Sequence, residues 1–255
     1  GEIVGVTGLD GQGQAEFVRA ISGVSQLVNG KINVIYNGQA EVIFDLQSAR
    51  ENGISYISGD RKKEGLFQNL SIFENMCLSI YQQFTWGGFF KFINKYKLNS
   101  IFVHETNKLA TKMGDESNLI TSLSGGNQQK ILIARSFAER PSILVLNDPA
   151  RGIDVGAKLD LYRNLRKFSE KGNGVIFLSS EIEEFLDLCN RVIVFRAGVI
   201  KSQFEPPLDS NEILNSTFGK RSNGPSAEKF DEGEKALRLV PKWPRYDNGQ
   251  PVARN

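Results

Sequence analysis

The sequence is poor in the residues that most often announce a metal site or a covalent framework. Among 255 residues there is one histidine, His104, and there are two cysteines, Cys77 and Cys189. A single histidine with no cysteine nearby argues against a metal site and leaves His104 a surface or helical position. Two thiols far apart in sequence point to reduced cytosolic cysteines rather than a disulfide framework. An excess of one charge is missing too. The 31 basic and 29 acidic residues give a net charge of +2, which fits a solvated surface and speaks against a nucleic-acid partner. No apolar run is long enough to span a bilayer and no signal peptide opens the chain, so any membrane role runs through a partner. An initiator methionine is also lacking. With Gly1-Glu2 leading straight into a strand, the chain reads as a fragment of a longer protein.

What is present is ordinary globular composition, 40% hydrophobic and 24% charged, enough for one large domain or two lobes. Residues 2–7 (EIVGVT) form a short β-branched run that reads as a strand. A glycine-rich turn follows, then helical spacing over 15–22 (Phe17, Ala20, Ile21) that stops at Gly23. Residues 31–50 alternate loosely, as a small sheet insertion would. Further strands are expected at 54–58, 143–146, 175–178, 192–195 and 199–204. Further helices are expected at 128–140, 158–170 and 181–189. Residues 72–120 read as helical. They include the aromatics Tyr81, Phe84, Trp86, Phe89, Phe90, Phe92 and Tyr96, whose near-helical spacing favours core packing over a docking surface. Alternating strands and helices predict an α/β fold, a mainly parallel sheet with crossover helices. From about residue 219 the composition changes. Pro225, Pro241, Pro244 and Pro251 lie among Gly, Asn and charges. This tail is expected to be irregular, partly packed through Leu237, Leu239 and Trp243.

Three segments carry chemistry. Gly8-Leu9-Asp10-Gly11-Gln12-Gly13-Gln14-Ala15 has the glycine spacing of a phosphate-binding loop, G-x-x-x-x-G-K-[ST], between a strand and a helix. Its N–H groups and the helix dipole could cradle phosphate oxygens. Three glycines at a strand–helix junction fit a tight turn equally well. Leu123-Ser124-Gly125-Gly126-Asn127-Gln128-Gln129-Lys130 sets a hydroxyl and two unhindered N–H groups at a helix start, a set suited to a γ-phosphate presented from outside. Residues 143–158 read ILVLNDPARGIDVGAK. There a buried strand ends in Asn147 and Asp148, the place of a Walker B strand and its catalytic carboxylate.

Together LSGGNQQK, RGIDVGAK, GDRKKEGL at 59–66 and SSEIEE at 179–184 resemble the carbohydrate-uptake ATP-binding-cassette proteins, which carry two cassettes in one chain and import ribose, xylose, arabinose, galactose or related compounds. The resemblance covers residues 1 to about 218 and is nearest to their second, C-terminal cassette. It implies a P-loop NTPase-type parallel sheet core with a small antiparallel insertion and a helical subdomain. By this resemblance, 1–71 form the phosphate-loop part of the core, 72–122 the helical subdomain, and 123–218 the signature, Walker B strand and remaining core. It also implies ATP and Mg²⁺ as cofactors, and three partners: another cassette, a membrane permease and, indirectly, a periplasmic sugar-binding protein. The place implied is peripheral, on the cytoplasmic face of the inner membrane. In this family each ATP lies between one cassette's phosphate loop and the other's signature. Asp154, after the Walker B strand, then contacts the partner cassette, and the segment 60–73 with the aromatic stretch faces the permease.

The departures from the family cluster in one pocket. Gln14 and Ala15 stand where the family's second cassettes usually carry Arg then Thr. A neutral Gln loses a charge-assisted phosphate contact, worth about 1.5–3 kcal/mol, and Ala15 offers Mg²⁺ no hydroxyl. Asp10 adds a carboxylate to the loop. Asn147 replaces the Walker B aspartate, and Asp148 is one methylene shorter than the catalytic glutamate it replaces, which matters for a base that must reach its water. Ser180 takes the position of the switch histidine, as is typical of this family's second half. Gly59 stands where the family usually has an acidic residue before Asp60-Arg61. The expectation is an asymmetric pair. This pocket binds ATP weakly and hydrolyses it slowly or not at all, while Ser124, Gly125, Gly126 and Gln128 serve the partner's ATP. The alternatives are a non-hydrolytic regulatory or assembly cassette, an importer of nucleosides or signalling molecules on the same plan, and a soluble cassette ATPase of translation or DNA repair.

Overall fold

The computed structural model describes residues 1–36, 39–86 and 92–219, and beyond them the short strands at 227–229, 246–247 and 250–251. In chain order the first elements are β1 (Glu2–Gly8), α1 (Gln14–Ile21), β2 (Ile32–Tyr36), β3 (Gln39–Ile43), α2 (Leu46–Glu51) and β4 (Ile54–Ile57). A π-helical turn at Arg61–Gly65 leads to α3 (Ile72–Cys77), β5 (Thr85–Trp86), β6 (Phe92–Ile93), α4 (Lys95–Lys108) and α5 (Gly125–Ala138). The chain continues through β7 (Ile143–Asn147), α6 (Val155–Glu170), β8 (Gly174–Leu178), α7 (Glu183–Leu188), β9 (Arg191–Arg196), β10 (Val199–Phe204), α8 (Ser210–Phe218) and β11 (Ala227–Lys229). These residues divide into two compact units. One holds Gly1–Tyr56, Ser142–Pro149 and Leu165–Trp243; the other holds Ile57–Pro141, Ala150–Asn164 and Pro244–Asn255.

The first unit is built on a sheet of order β11-β10-β9-β1-β8-β7-β4. Its centre is parallel, with β1 pairing β8 and β9, and β8 pairing β7. Strands covered on both faces read as continuous apolar runs. All five residues of β8 are buried, as are the middle five of β1. Val6 sits between Leu178 and Ile193 in register. Val18 of α1 and Val34 and Ile43 of the β2–β3 hairpin belong to the same core as Val4, Val145 and Ile176. Because β1, β8 and β7 are parallel neighbours, the chain leaves the sheet at one edge after Gly8, after Asn147 and after Leu178. Ligands of such sheets bind at that edge.

The second unit is mainly helical. Helix α5 packs against both α3 and α4, and Ile72, Met76, Leu98, Phe102 and Ile131 are almost fully enclosed. Helix α3 begins with a capping box in which Ser71 and Glu74 satisfy each other's backbone N–H, an arrangement worth about 1 kcal/mol.

The structure differs from the sequence expectations in several places. Only 32–43 of the 31–50 insertion is a hairpin; 46–51 is a helix because Asp45 and Ser48 form a capping box. The helical stretch 72–120 is interrupted by the antiparallel pair β5–β6. Helices α5 and α6 each start three residues before their expected first residue, and α8 adds a helix that was not expected. The described part of the aromatic stretch is split, with Tyr81 and Phe84 half-buried and its later residues exposed. Phe92 is 54% and Tyr96 93% exposed, while the enclosed aromatics here are its neighbours Phe102 and, half-buried, Phe73. Phe89 and Phe90 lie outside the described residues, as do Leu237, Leu239 and Trp243. Of the tail expected to be irregular, Ala227–Lys229 pairs with β10, and Tyr246–Asp247 pairs with Gln250–Pro251.

Candidate functional site

In the sheet unit, β1 delivers the chain into the loop Gly8–Ala15. Gly11 has φ +73° and Gly13 φ +101°, the left-handed region in which a side chain is strained. Gly13 is the N-cap of α1 and supplies no side-chain cap. The loop is tied to the β9–β10 turn. The Ala197 N–H donates to Gln12 Oε1 at 2.6 Å, and the Gly198 N–H donates to the Gln12 carbonyl at 3.1 Å. A Cβ at Gly13 would lie 3.2 Å from Gly198 Cα, so the close approach requires the glycine.

Gln14 sits where a phosphate-binding lysine would. It is buried, and its Nε2 donates inward to the carbonyls of Gly8 (3.2 Å) and Leu9 (2.8 Å). Its Oε1 is buried with no hydrogen-bond partner among the described residues. That oxygen lies against the loop, 3.0 Å from where a Cβ of Gly8 would be. A loop that receives an anion needs donors facing inward; this one adds a buried acceptor. Beside it, Ala15 is half-buried against the core and brings no oxygen. Asp10 and Leu9 are exposed at the tip.

At the end of β7, Asn147 Nδ2 donates to Tyr56 Oη at 3.2 Å. The amide that replaces a metal-binding carboxylate is thus paired to a phenol. Asp148 has φ +48°, and its N–H donates to the Leu178 carbonyl at 2.9 Å. Asp is one of the few residues to tolerate that backbone region. After β8, Ser179 Oγ donates to the buried Glu184 carboxylate at 2.6 Å, and Ser180 is exposed. The residues present do not fit a Mg²⁺–phosphate group. Gln14 supplies a buried acceptor, Ala15 a methyl packed on the core, and Asn147 a neutral amide that is already paired.

The second site lies in the helical unit. Ser124 is the N-cap of α5. Its Oγ accepts from Asn127 N–H (3.4 Å) and Asn127 Nδ2 (3.0 Å), so its own O–H is left to donate outward. The N–H groups of Gly125 and Gly126 are the first two of the helix, which have no acceptor inside it. Ser124 is exposed, and Gly125 and Gly126 are half-buried. Gln128, expected among the outward-facing groups, directs its Nε2 to the carbonyls of Leu123 (3.1 Å) and Ile120 (3.4 Å) and so braces the turn before the helix. Asp154 Oδ1 accepts from the Ala157 N–H at 2.9 Å, which starts α6. That backbone bond, helped by Lys130, holds the Asp154 carboxyl below the usual range. Its other oxygen is 3.7 Å from the position of a Cβ on Gly126. The signature and the Asp154 loop are therefore adjacent. Sequence reading named both but not their contact, nor the pairing of Tyr56 with Asn147. Among the described residues no cluster of His, Cys, Asp and Glu could hold a metal, and His104 is solvent-facing on α4.

A parallel sheet with a glycine loop after its central strand, joined to a helical unit that begins its central packed helix at Ser124-Gly125-Gly126, defines an ATP-binding cassette. The ABC transporter family profile matches residues 1–151, and the chain belongs to that family. It is 35% identical over 233 residues to the ribose import ATP-binding protein RbsA 2 of Rubrobacter xylanophilus, covering 91% of this chain and 44% of that protein. It is 38% identical over 224 residues to a putative ribose/galactose/methyl galactoside import ATP-binding protein of Pseudomonas fluorescens, covering 88% of this chain and 42% of that one. The chain thus spans less than half the length of these relatives. The fold matches that of the ATP-binding cassette MJ0796 in its dimeric, post-hydrolysis state bound to ADP and Pi. The TM-score is 0.68 at 18% identity, over 80% of this chain and 85% of that one. No helix among the described residues is long and apolar enough to cross a membrane.

Proposed function

We propose that the chain is the second cassette of a sugar-importer ATPase subunit and works as the signature-donating half of an asymmetric pair. Another cassette holds the ATP on an intact phosphate loop, and Ser124, Gly125 and Gly126 of this chain close on its γ-phosphate. The subunit sits at the cytoplasmic face of the inner membrane, against permease subunits that a periplasmic binding protein supplies with sugar. The pocket at Gly8–Ala15, with Asn147, Asp148 and Ser180, binds Mg-ATP weakly and turns it over slowly or not at all. The observation that carries this reading is Gln14, whose amide closes the loop from within and leaves a buried acceptor where an anion would need a donor. The relatives named as ribose and galactose import proteins support the substrate class, and their greater length leaves room for a further cassette. Equilibrium binding of Mg-ATP to the full-length subunit tests it. One tight site is expected, with a second weaker by about tenfold or more, the loss of one charge-assisted contact. Two sites of equal affinity would overturn the reading.

A further inference from the structure

The segment GDRKKEGL contributes a residue to the signature. Arg61, the first residue of the π-helical turn, extends its half-buried guanidinium between two glycines. A Cβ on Gly125 would lie 2.6 Å from Arg61 Nη2, so the side chain occupies the space that the signature's first helical residue leaves open. On the other side, Nη1 donates to the Arg151 carbonyl at 3.3 Å and lies 3.8 Å from the position of a Cβ on Gly152. The Nε is buried with no hydrogen-bond partner among the described residues. A guanidinium that needed only solvation would turn outward and hydrate that nitrogen. The turn carrying Arg61 is itself fixed on α5. Arg135 donates to the Gly65 carbonyl at 2.7 Å, and a Cβ on Gly65 would meet Leu132 at 2.9 Å.

Three chain segments therefore meet at one head group: the start of α5, the turn before Asp154, and the turn at 61–65. We infer that Arg61 is a positioning residue for the signature, setting the distance between the Ser124–Gly126 donors and the Asp154 loop. A planar fork can satisfy one wall and pack flat on the other, whereas a point-charge ammonium cannot. The inference rests on the reading that the signature serves ATP held by another cassette. It adds that the family's permease-facing segment and the phosphate-facing donors share a side chain.

The test uses the full-length subunit and steady-state ATP hydrolysis. Arg61→Ala is expected to lower kcat by about tenfold or more, because small displacements of positioned donors are costly. KM for ATP should stay within about twofold, because ATP rests mainly on the other cassette's loop. Arg61→Lys keeps the apolar stem and guards against a variant that fails to fold; it should show the same kcat loss with unchanged thermal stability. Wild-type kcat in either variant, or a loss that appears equally in KM and in melting temperature, overturns the inference. Ser124→Tyr runs alongside. If it leaves hydrolysis intact, the signature-donating reading itself fails; if it abolishes hydrolysis while Arg61→Lys does not lower kcat, only the role of Arg61 fails.

Discussion

The phosphate loop of the sheet unit and the signature of the helical unit use the same device, a glycine-rich turn feeding a helix N-terminus, and they treat it oppositely. At the loop, the first helical side chain, Gln14, turns back into the concavity and bonds to the loop's own carbonyls. At the signature, the braces come from Asn127 and Gln128, whose amides bind Ser124 and the carbonyls behind it. That leaves Ser124 exposed at the helix start, with Gly125 and Gly126 half-buried beside Arg61 and Asp154. The glycines alone do not decide whether a turn can receive a phosphate. On the proposed reading, the direction of the adjoining amides does.

The strongest way to break this contrast is to block the signature. Ser124→Tyr places a ring over the two free N–H groups and removes the hydroxyl donor. Removing a single preorganised donor typically costs about 100- to 1000-fold in rate, and this change removes access to three. ATP hydrolysis by the full-length subunit, measured by phosphate release, should fall at least about 1000-fold. Retention of even a tenth of the activity would mean that the sheet unit's own pocket does the work.

The helix start at Ser124 could be read from sequence because its geometry is local. Ser124, Gly125 and Gly126 are consecutive, and the helix they start follows at once. The alternation of strands and helices gave the parallel sheet for the same reason, since each crossover unit is contiguous. The identity of the loop's departures was equally plain, but not their conformation. That Gln14 folds inward depends on the shape of the loop and its burial under β1 and α1. Tyr56 pairs with Asn147 across 91 positions, and Arg61 reaches the Arg151 carbonyl across 90. No periodicity in one sequence encodes such contacts. Helical spacing across the aromatic stretch is broken by the short antiparallel pair β5–β6, so Tyr81 and Phe84 before it are half-buried while Phe92 in it is exposed.

One thiol in each unit offers an independent probe of the two regions. Cys77 lies in the helical unit and Cys189 in the sheet unit; both are buried and free. Burial first, and Glu116 second, push the Cys77 thiol up to about 12, and burial with Glu184 raises Cys189 as well. Because the folded protein holds these protons more tightly, their contribution to stability is complete below the unfolded value near 9. It is lost as pH rises from there towards 12. At pH 8 the native thiols should react with iodoacetamide at least about 100-fold more slowly than the same thiols in denaturant, since only the thiolate attacks. A denaturant titration that labels one cysteine before the other would show that the two units open separately.

A milder intervention tests the pocket proposed to be weak. Gln14→Lys, Ala15→Thr and Asn147→Asp together restore a charged donor, a hydroxyl and a carboxylate. One recovered charge-assisted contact is worth about 1.5–3 kcal/mol, so the weaker Mg-ATP site of the full-length subunit should tighten by about tenfold. Tyr56 sets a limit, because it holds Asn147 now and would meet a carboxylate afterwards. Unchanged affinity in the triple variant would place the obstruction elsewhere, for instance in the Gln12 tie to Ala197 and Gly198.

The smallest effect belongs to Gln14→Lys alone, and it is informative for being small. A lysine ammonium can take over both donor bonds to Gly8 and Leu9, and it removes the buried acceptor at Oε1. It does not supply a Mg²⁺ ligand at Ala15, free Asn147 from Tyr56, or lengthen Asp148, whose backbone is held in the left-handed region by its place after β7. On the proposed reading Asp148 is a general base one methylene short, so better binding does not become turnover. ATP hydrolysis by the full-length subunit should therefore change by less than about twofold, even as the melting temperature in Mg-ATP rises with the added binding. A several-fold rise in kcat from this one substitution would mean that Asp148 reaches its water after all. The sheet unit would then be a working pocket lacking a single charge, and the contrast between the two regions would narrow to one side chain.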